Sequence, residues 1–106
     1  MLENKQHYCI PATHPCFVGH FPDNPIVPGV VILNYVQQQL LNWLPEYTIK
    51  TLSQAKFLYP LNPDQKFTIT LMQSSAQKIK FTCSHGTHTL VTGAFIIKAK
   101  QEVENE

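Results

Sequence analysis

Between His20 and Gly29 the chain reads His-Phe-Pro-Asp-Asn-Pro-Ile-Val-Pro-Gly, and it runs straight on into the apolar stretch Val30-Val31-Ile32-Leu33. Histidine is the side chain whose ordinary pKa lets it take up and return a proton near neutrality. A glycine at the mouth of a helix leaves backbone N–H groups unpaired and places no Cβ between them and a ligand. The helix macrodipole puts partial positive charge at the same end, which favours an oxygen that gains negative charge. A proton acceptor beside such a donor is the minimal kit for removing a proton α to a thioester carbonyl, with the enolate oxygen resting at the N–H groups. Pro22, Pro25 and Pro28 stiffen the loop between the two, because each fixes φ and removes a donor. A rigid loop between two elements is a good platform for a site.

The elements that must hold these residues follow from periodicity. From Val30 to Leu44 the apolar positions Leu33, Val36, Leu40, Trp43 and Leu44 recur at helical spacing, and Pro45 stops the run. Its first two turns are apolar nearly all round, which predicts a helix enclosed on most sides. Downstream, Phe67, Ile69 and Leu71 alternate, as do Ile79, Phe81 and Cys83, so two strands are expected to pair as a hairpin around Gln73 to Gln77. Thr48 to Tyr59 reads as a longer strand ended by Pro60. His88 to Lys98 reads as another, with Gly93 a bulge or a point of close approach. A short strand at Tyr8-Cys9-Ile10 precedes the breaks at Pro11 and Pro15, and the charged tail from Lys100 to Glu106 is expected to fray. One long helix with antiparallel strands implies an α+β fold in which a sheet curls round the helix. Such a sheet has an exposed edge, and edge-to-edge pairing of two copies would remove it, so a homodimer or higher even oligomer is expected.

Composition narrows the classes. A chain of 106 residues has length for a single domain, 1–106, and 43% hydrophobic with 14% charged residues describes a folded protein with a sparsely charged surface. The formal net charge is +1 and the lysines are scattered, which argues against a nucleic-acid partner. Cys9, Cys16 and Cys83 form no C-x-x-C pair and read as free thiols of a reducing compartment. The polar start, Met1 to Gln6, is unlike a signal peptide, and no run approaches the roughly 18 apolar residues of a membrane span. A soluble cytoplasmic protein without a membrane partner is the expectation.

The pattern His-Phe-Pro-x-x-Pro-Ile-x-Pro-Gly-Val, from His20 to Val30, closely resembles the active-site segment of the 3-hydroxyacyl-acyl carrier protein dehydratases, members of the hot-dog-fold superfamily. Ile-Pro-Ala-x-His-Pro-x-Phe-x-Gly-His, from Ile10 to His20, extends the likeness, and Lys56-Phe57 with Pro60 and Pro63-Asp64 looks like that family's later strand and turn. The short length and the Ile-Pro-Ala approach are most similar to small dehydratases of fatty-acid or aryl-polyene-like biosynthesis. The resemblance implies a hot-dog fold, a curved antiparallel sheet wrapped around one long central helix. It implies His20 as the catalytic base and Gly29 as the backbone donor to the thioester carbonyl of an acyl carrier protein or CoA substrate, with no cofactor. Phe21, Pro28, Val30 and Tyr35 would then touch the substrate.

One position departs from the pattern. Fourteen residues after the histidine the family carries a carboxylate that protonates the leaving 3-hydroxyl and meets the histidine across the dimer interface. This chain has Asn34 there. An amide can orient a hydroxyl or a water but cannot give up a proton. Alternatives of two kinds therefore stand beside dehydration: a hot-dog thioesterase, in which the same helix mouth serves attack by water, and a non-catalytic acyl-thioester-binding subunit that has lost the acid.

Other suggestive residues have plainer readings. His85 and His88 flank Gly86, which marks a hairpin turn, and no third ligand accompanies them, so no metal is expected. His14 and Cys16 are separated by Pro15, and nothing marks a lowered thiol pKa. Trp43 and Tyr35 at helical spacing read as core, with Tyr35 also placed to line an acyl tunnel.

Overall fold

The computed structural model describes residues 2–17 and 25–100, so His20, Phe21 and the tail beyond Lys100 lie outside the described residues. The elements are β1 (Glu3–Cys9), a short 3-10 turn (Pro15–Phe17), α1 (Gly29–Trp43), β2 (Tyr47–Phe57), β3 (Lys66–Ser75), β4 (Lys78–His85) and β5 (His88–Ala99). All five strands join one antiparallel sheet in the order β1-β3-β4-β5-β2. Shifts of register in β2, between Ile49 and Thr51 and between Leu52 and Gln54, bend that strand. The sheet curves round α1, as the α+β expectation required.

The alternating residues of β3 and β4 point where their spacing said. Phe67, Ile69, Leu71, Ile79, Phe81 and Cys83 are all buried, joined by Val91, Phe95 and Ile97 of β5 and by Ile32, Val36 and Leu40 of the helix. Burying a side chain of this size contributes about 1.5–3 kcal/mol. Gly93 is a point of close approach rather than a bulge. It pairs with Phe81 across β4 and β5, and a Cβ on it would run into both the Phe81 ring and the backbone oxygen of Gln54.

Three readings need correction. The first strand is Glu3–Cys9, not the three residues from Tyr8, and it pairs along its full length with β3. The buried face of α1 is Ile32, Val36, Gln39 and Leu40, while Leu33, Trp43 and Leu44 are only partly covered. Finally, the helix is not enclosed on most sides. Val30 is 64% exposed, and Asn34, Gln38 and Leu41, which follow it at helical spacing, are exposed as well. A single curved sheet covers one flank of a helix and leaves this stripe bare.

Gln39 is the buried polar side chain among the described residues, at 4% exposure. Its amide NH2 donates to the Asn4 side-chain oxygen at 2.9 Å and to the Ile69 carbonyl at 3.1 Å, with a longer approach to the Asn4 carbonyl, and its own oxygen accepts from the Tyr8 hydroxyl at 2.9 Å. A buried amide is tolerated when its donors and acceptor are all engaged, and these partners lie on β1 and β3. The helix is thereby tied to two strands at once.

Burial pushes the Cys83 thiol up to about 12. The unfolded thiol ionises near pH 9 and the folded one does not, so the unfolded chain releases protons that the folded chain keeps. The stabilisation from keeping Cys83 protonated is complete below about pH 9 and is lost as pH rises toward about 12. Burial raises Tyr8 as well, in the same direction. Urea midpoints should therefore fall as pH rises from about 9 toward about 12. Cys83→Val should flatten part of that slope; an unchanged slope would contradict the assignment to Cys83.

Candidate active site

The loop that enters α1 is held by the backbone. Val27 donates its N–H to the Leu61 carbonyl at 2.8 Å, fixing Pro25–Pro28 against the connection between β2 and β3. Pro28 is the N-cap residue and offers no side-chain cap, so the first-turn N–H groups at Gly29 and Val30 are left without an intrahelical partner. The β2–β3 connection is itself pinned to β5: the N–H groups of Leu58 and Tyr59 both donate to the Leu90 carbonyl, at 2.8 and 3.3 Å. The Tyr59 ring stacks on His88, with centroids 3.9 Å apart and planes 7° from parallel. Between these two pinned segments lies a groove of about 470 Å³ lined by Ile26, Val27, Gly29, Ile32, Phe57, Leu58, Tyr59, Pro60 and Leu61. It is an apolar trough ending at the start of the helix.

The candidate residues distribute unevenly about it. Gly29 lines the groove, and Pro28 and Val30 flank it in sequence. Asn34 is five residues along, about 7.5 Å further down the axis and roughly 140° round it. Its side chain stands on the bare stripe with Val30, Gln38 and Leu41. Tyr35 does not line this groove. It packs edge-on against Tyr8 at 5.2 Å and against Phe67 at 6.1 Å, on the flank that faces β1. His20 and Phe21 fall outside the described residues.

The chemistry of the remaining candidates is settled by their contacts. The His14 ring accepts the Cys16 backbone N–H at Nδ1, 3.0 Å away, and burial pushes the Cys16 thiol up, so the pair is not an activated nucleophile. His85 places Nδ1 at 2.6 Å from the Lys66 carbonyl, which can only accept, so that nitrogen carries the hydrogen and has no lone pair for a metal. The His88 ring lies stacked on Tyr59. Among the described residues no three His, Cys, Asp or Glu side chains converge as a metal site, and no helix is long and apolar enough to cross a membrane.

The groove walls from Phe57 to Leu61 are what sequence reasoning missed. They belong to the end of one strand and the turn after it, and nothing local announces that this turn folds against the start of a helix thirty residues earlier. The match of Lys56-Phe57 and Pro60 to the dehydratase pattern was the available signal.

Comparison with known proteins decides the family. The model of the ApeI-like family, described as ApeI dehydratase, matches residues 3–94. The chain belongs to that family. Among relatives of this ApeI-like chain, the 3-hydroxyacyl-[acyl-carrier-protein] dehydratase FabZ of Ehrlichia chaffeensis is 34% identical over 92 residues, covering 81% of this chain and 63% of its own length. FabZ of Histophilus somni is 52% identical over a shorter stretch of 31 residues, 29% of this chain and 20% of the relative. The chain thus spans less than two thirds of the length of these relatives. In solved structures, the dehydratase heterocomplex ApeI:P from Xenorhabdus doucetiae superposes with a TM-score of 0.81 at 23% identity, covering 90% of this chain and 86% of that one. The fluoroacetyl-CoA thioesterase FlK superposes at 0.69 with 10% identity, covering 98% and 90%. At such identities both establish the hot-dog fold and nothing narrower.

Proposed function

We propose that this ApeI-like chain is a cytoplasmic hydro-lyase subunit that removes water from a 3-hydroxyacyl thioester, carried by acyl carrier protein or by CoA, in fatty-acid or polyene-like biosynthesis. The observation that carries the reading is the apolar groove opening at Gly29, in a chain whose family is named for dehydration. The thioester carbonyl accepts from the Gly29 N–H, and the developing enolate is stabilised there by the unpaired first-turn amides and the helix dipole. His20 takes the α-proton. The Cα–H and Cβ–O bonds break, a carbon–carbon double bond forms, and the proton held by the imidazolium leaves with the hydroxyl as water. Asn34 orients that hydroxyl without supplying a proton. Pro28, Val30 and Phe21 shape the space around the acyl group, and the reaction uses no cofactor.

The unit, 1–106, works as a pair. β2 is an edge strand in which every residue from Lys50 to Phe57 is exposed, and the stripe through Val30, Asn34, Gln38 and Leu41 is equally bare. Continuing the sheet through β2 of a second subunit would cover both, and would bring Asn34 of one copy toward the helix mouth of the other.

The test is water loss from 3-hydroxyacyl carrier-protein substrates, followed by the ultraviolet absorbance of the conjugated thioester. Turnover supports the reading, and release of free thiol without conjugation would replace it by thioester hydrolysis. Asn34→Asp restores an acid where the family has one and should raise the rate by about 10²-fold, the scale of a positioned proton donor. An unchanged rate would show that position 34 does not address the leaving group.

Asn34 also favours a second reading, in which this chain is the binding half of a mixed pair and the other half brings the carboxylate. The fold neighbour from Xenorhabdus doucetiae is named as a dehydratase heterocomplex, in keeping with such an arrangement. Substrate binding without turnover by the purified chain, with turnover appearing when an acid-bearing dehydratase chain is added, would favour it.

A further inference from the structure

Gly29 has no side chain, and an aromatic ring fills the space where one would be. A Cβ there would meet Cε1 of Phe57 at 2.6 Å and Cζ at 2.7 Å. In an α-helix the Cα–Cβ bond tilts toward the N-terminus, the direction in which the first-turn N–H groups also point. The ring occupying that space therefore lies beside the Gly29 N–H. Phe57 is 54% exposed, although it ends a paired strand, because one side of its ring forms a wall of the open groove. Its backbone is fixed: Phe57 pairs with Val91 in the sheet, and the next two N–H groups are held by the Leu90 carbonyl.

We propose that Phe57 is a specificity-determining residue of the thioester site, its ring limiting the bulk that a bound acyl group can carry on the carbon next to the carbonyl. The inference rests on the reading of Gly29 as the carbonyl donor. An oxygen accepting from the Gly29 N–H sits about 2.9 Å from that nitrogen. Its carbonyl carbon and the attached α-carbon then come against the ring. A CH2 group lies against an aromatic face at van der Waals distance, whereas a methyl group that replaces the hydrogen facing the ring points into it and must displace it. Beyond that point Ile26, Ile32, Tyr59 and Leu61 offer only apolar contact to the rest of the chain, so this group discriminates by length and the Phe57 wall by branching.

Binding separates this claim from the catalytic one. The probes are amide analogues of 3-hydroxyacyl pantetheine, which keep the carbonyl and cannot lose a thiol, made with and without a 2-methyl branch. Calorimetry should show the wild-type chain binding the unbranched analogue about tenfold or more tightly than the branched one, the scale of one misplaced methyl group. Phe57→Ala should reduce that ratio to about twofold, and Phe57→Leu, which keeps an apolar wall of smaller reach, should fall between. Thermal melts establish that each variant is folded. A ratio unchanged in folded Phe57→Ala and Phe57→Leu overturns the proposal, as does a wild-type chain that binds both analogues alike or neither. Discriminating binding without turnover supports the wall and counts against dehydration alone.

Discussion

Replacing His20 by alanine is expected to lower turnover by about 10²–10⁴-fold, the contribution of a positioned general base. The expectation is sharpened by what the other imidazoles do. His14 spends Nδ1 on the Cys16 backbone, His85 is bonded to the Lys66 carbonyl, and His88 is stacked on Tyr59. His7 sits on β1 with its Nδ1 2.8 Å from the Thr68 hydroxyl, far in sequence from the helix mouth. None of the four is among the residues that line the groove. His14→Ala, the nearest in sequence to the helix entry, should therefore leave the rate within about threefold, while His20→Ala also removes the acid limb of the kcat/KM profile, because the base that must be unprotonated is gone. The measurement is single-substrate kinetics across pH on both variants. A His20→Ala protein that keeps its native rate would end the dehydratase reading.

A second large effect concerns the frame. Gly93→Ala should destabilise the chain by about 1–3 kcal/mol, the cost of forcing atoms into a filled interior. The new methyl would meet a ring that is fully buried and a backbone oxygen held in the β2–β5 ladder, so neither neighbour can swing aside into solvent. At roughly 4–8 °C per kcal/mol for a domain of this size, the melting temperature should drop by several degrees or more. Phe81→Leu removes one of the two obstacles. The double variant should therefore be more stable than the sum of the single changes predicts, by about 0.5–3 kcal/mol of coupling. Strict additivity would mean that Phe81 and Gly93 do not touch in solution.

The parts of the molecule that could be read from the sequence are those where one residue's fate depends on its near neighbours. Phe67, Ile69 and Leu71 alternate because one face of β3 looks at the core, and a period of two says so without knowledge of the partner strand. Gly29 declared itself in the same way, between Pro28 and an apolar helical run. β1 hid its extent because Glu3, Lys5, Gln6 and His7 are exposed, leaving chiefly Asn4 and Tyr8 to touch the interior of an edge strand. The helix face was misjudged by about one residue because Gln39 is buried, and what makes its burial tolerable is a set of oxygens on β1 and β3 that only the fold assembles. The walls of the groove were illegible for a related reason: Phe57 is an ordinary strand residue until the chain brings it over Gly29.

The Gln39 amide has a bearing on the helix as a whole. Oil-like contacts between a helix and a sheet permit small slides and rolls at little cost, since one methyl group replaces another. Directed bonds to Asn4, Tyr8 and Ile69 do not, for a roll of even a few tens of degrees would break them and leave the buried Gln39 amide without its partners. The helix is consequently keyed to a single azimuth, and the direction in which Asn34 faces outward is set five residues further on, roughly 140° round the helix.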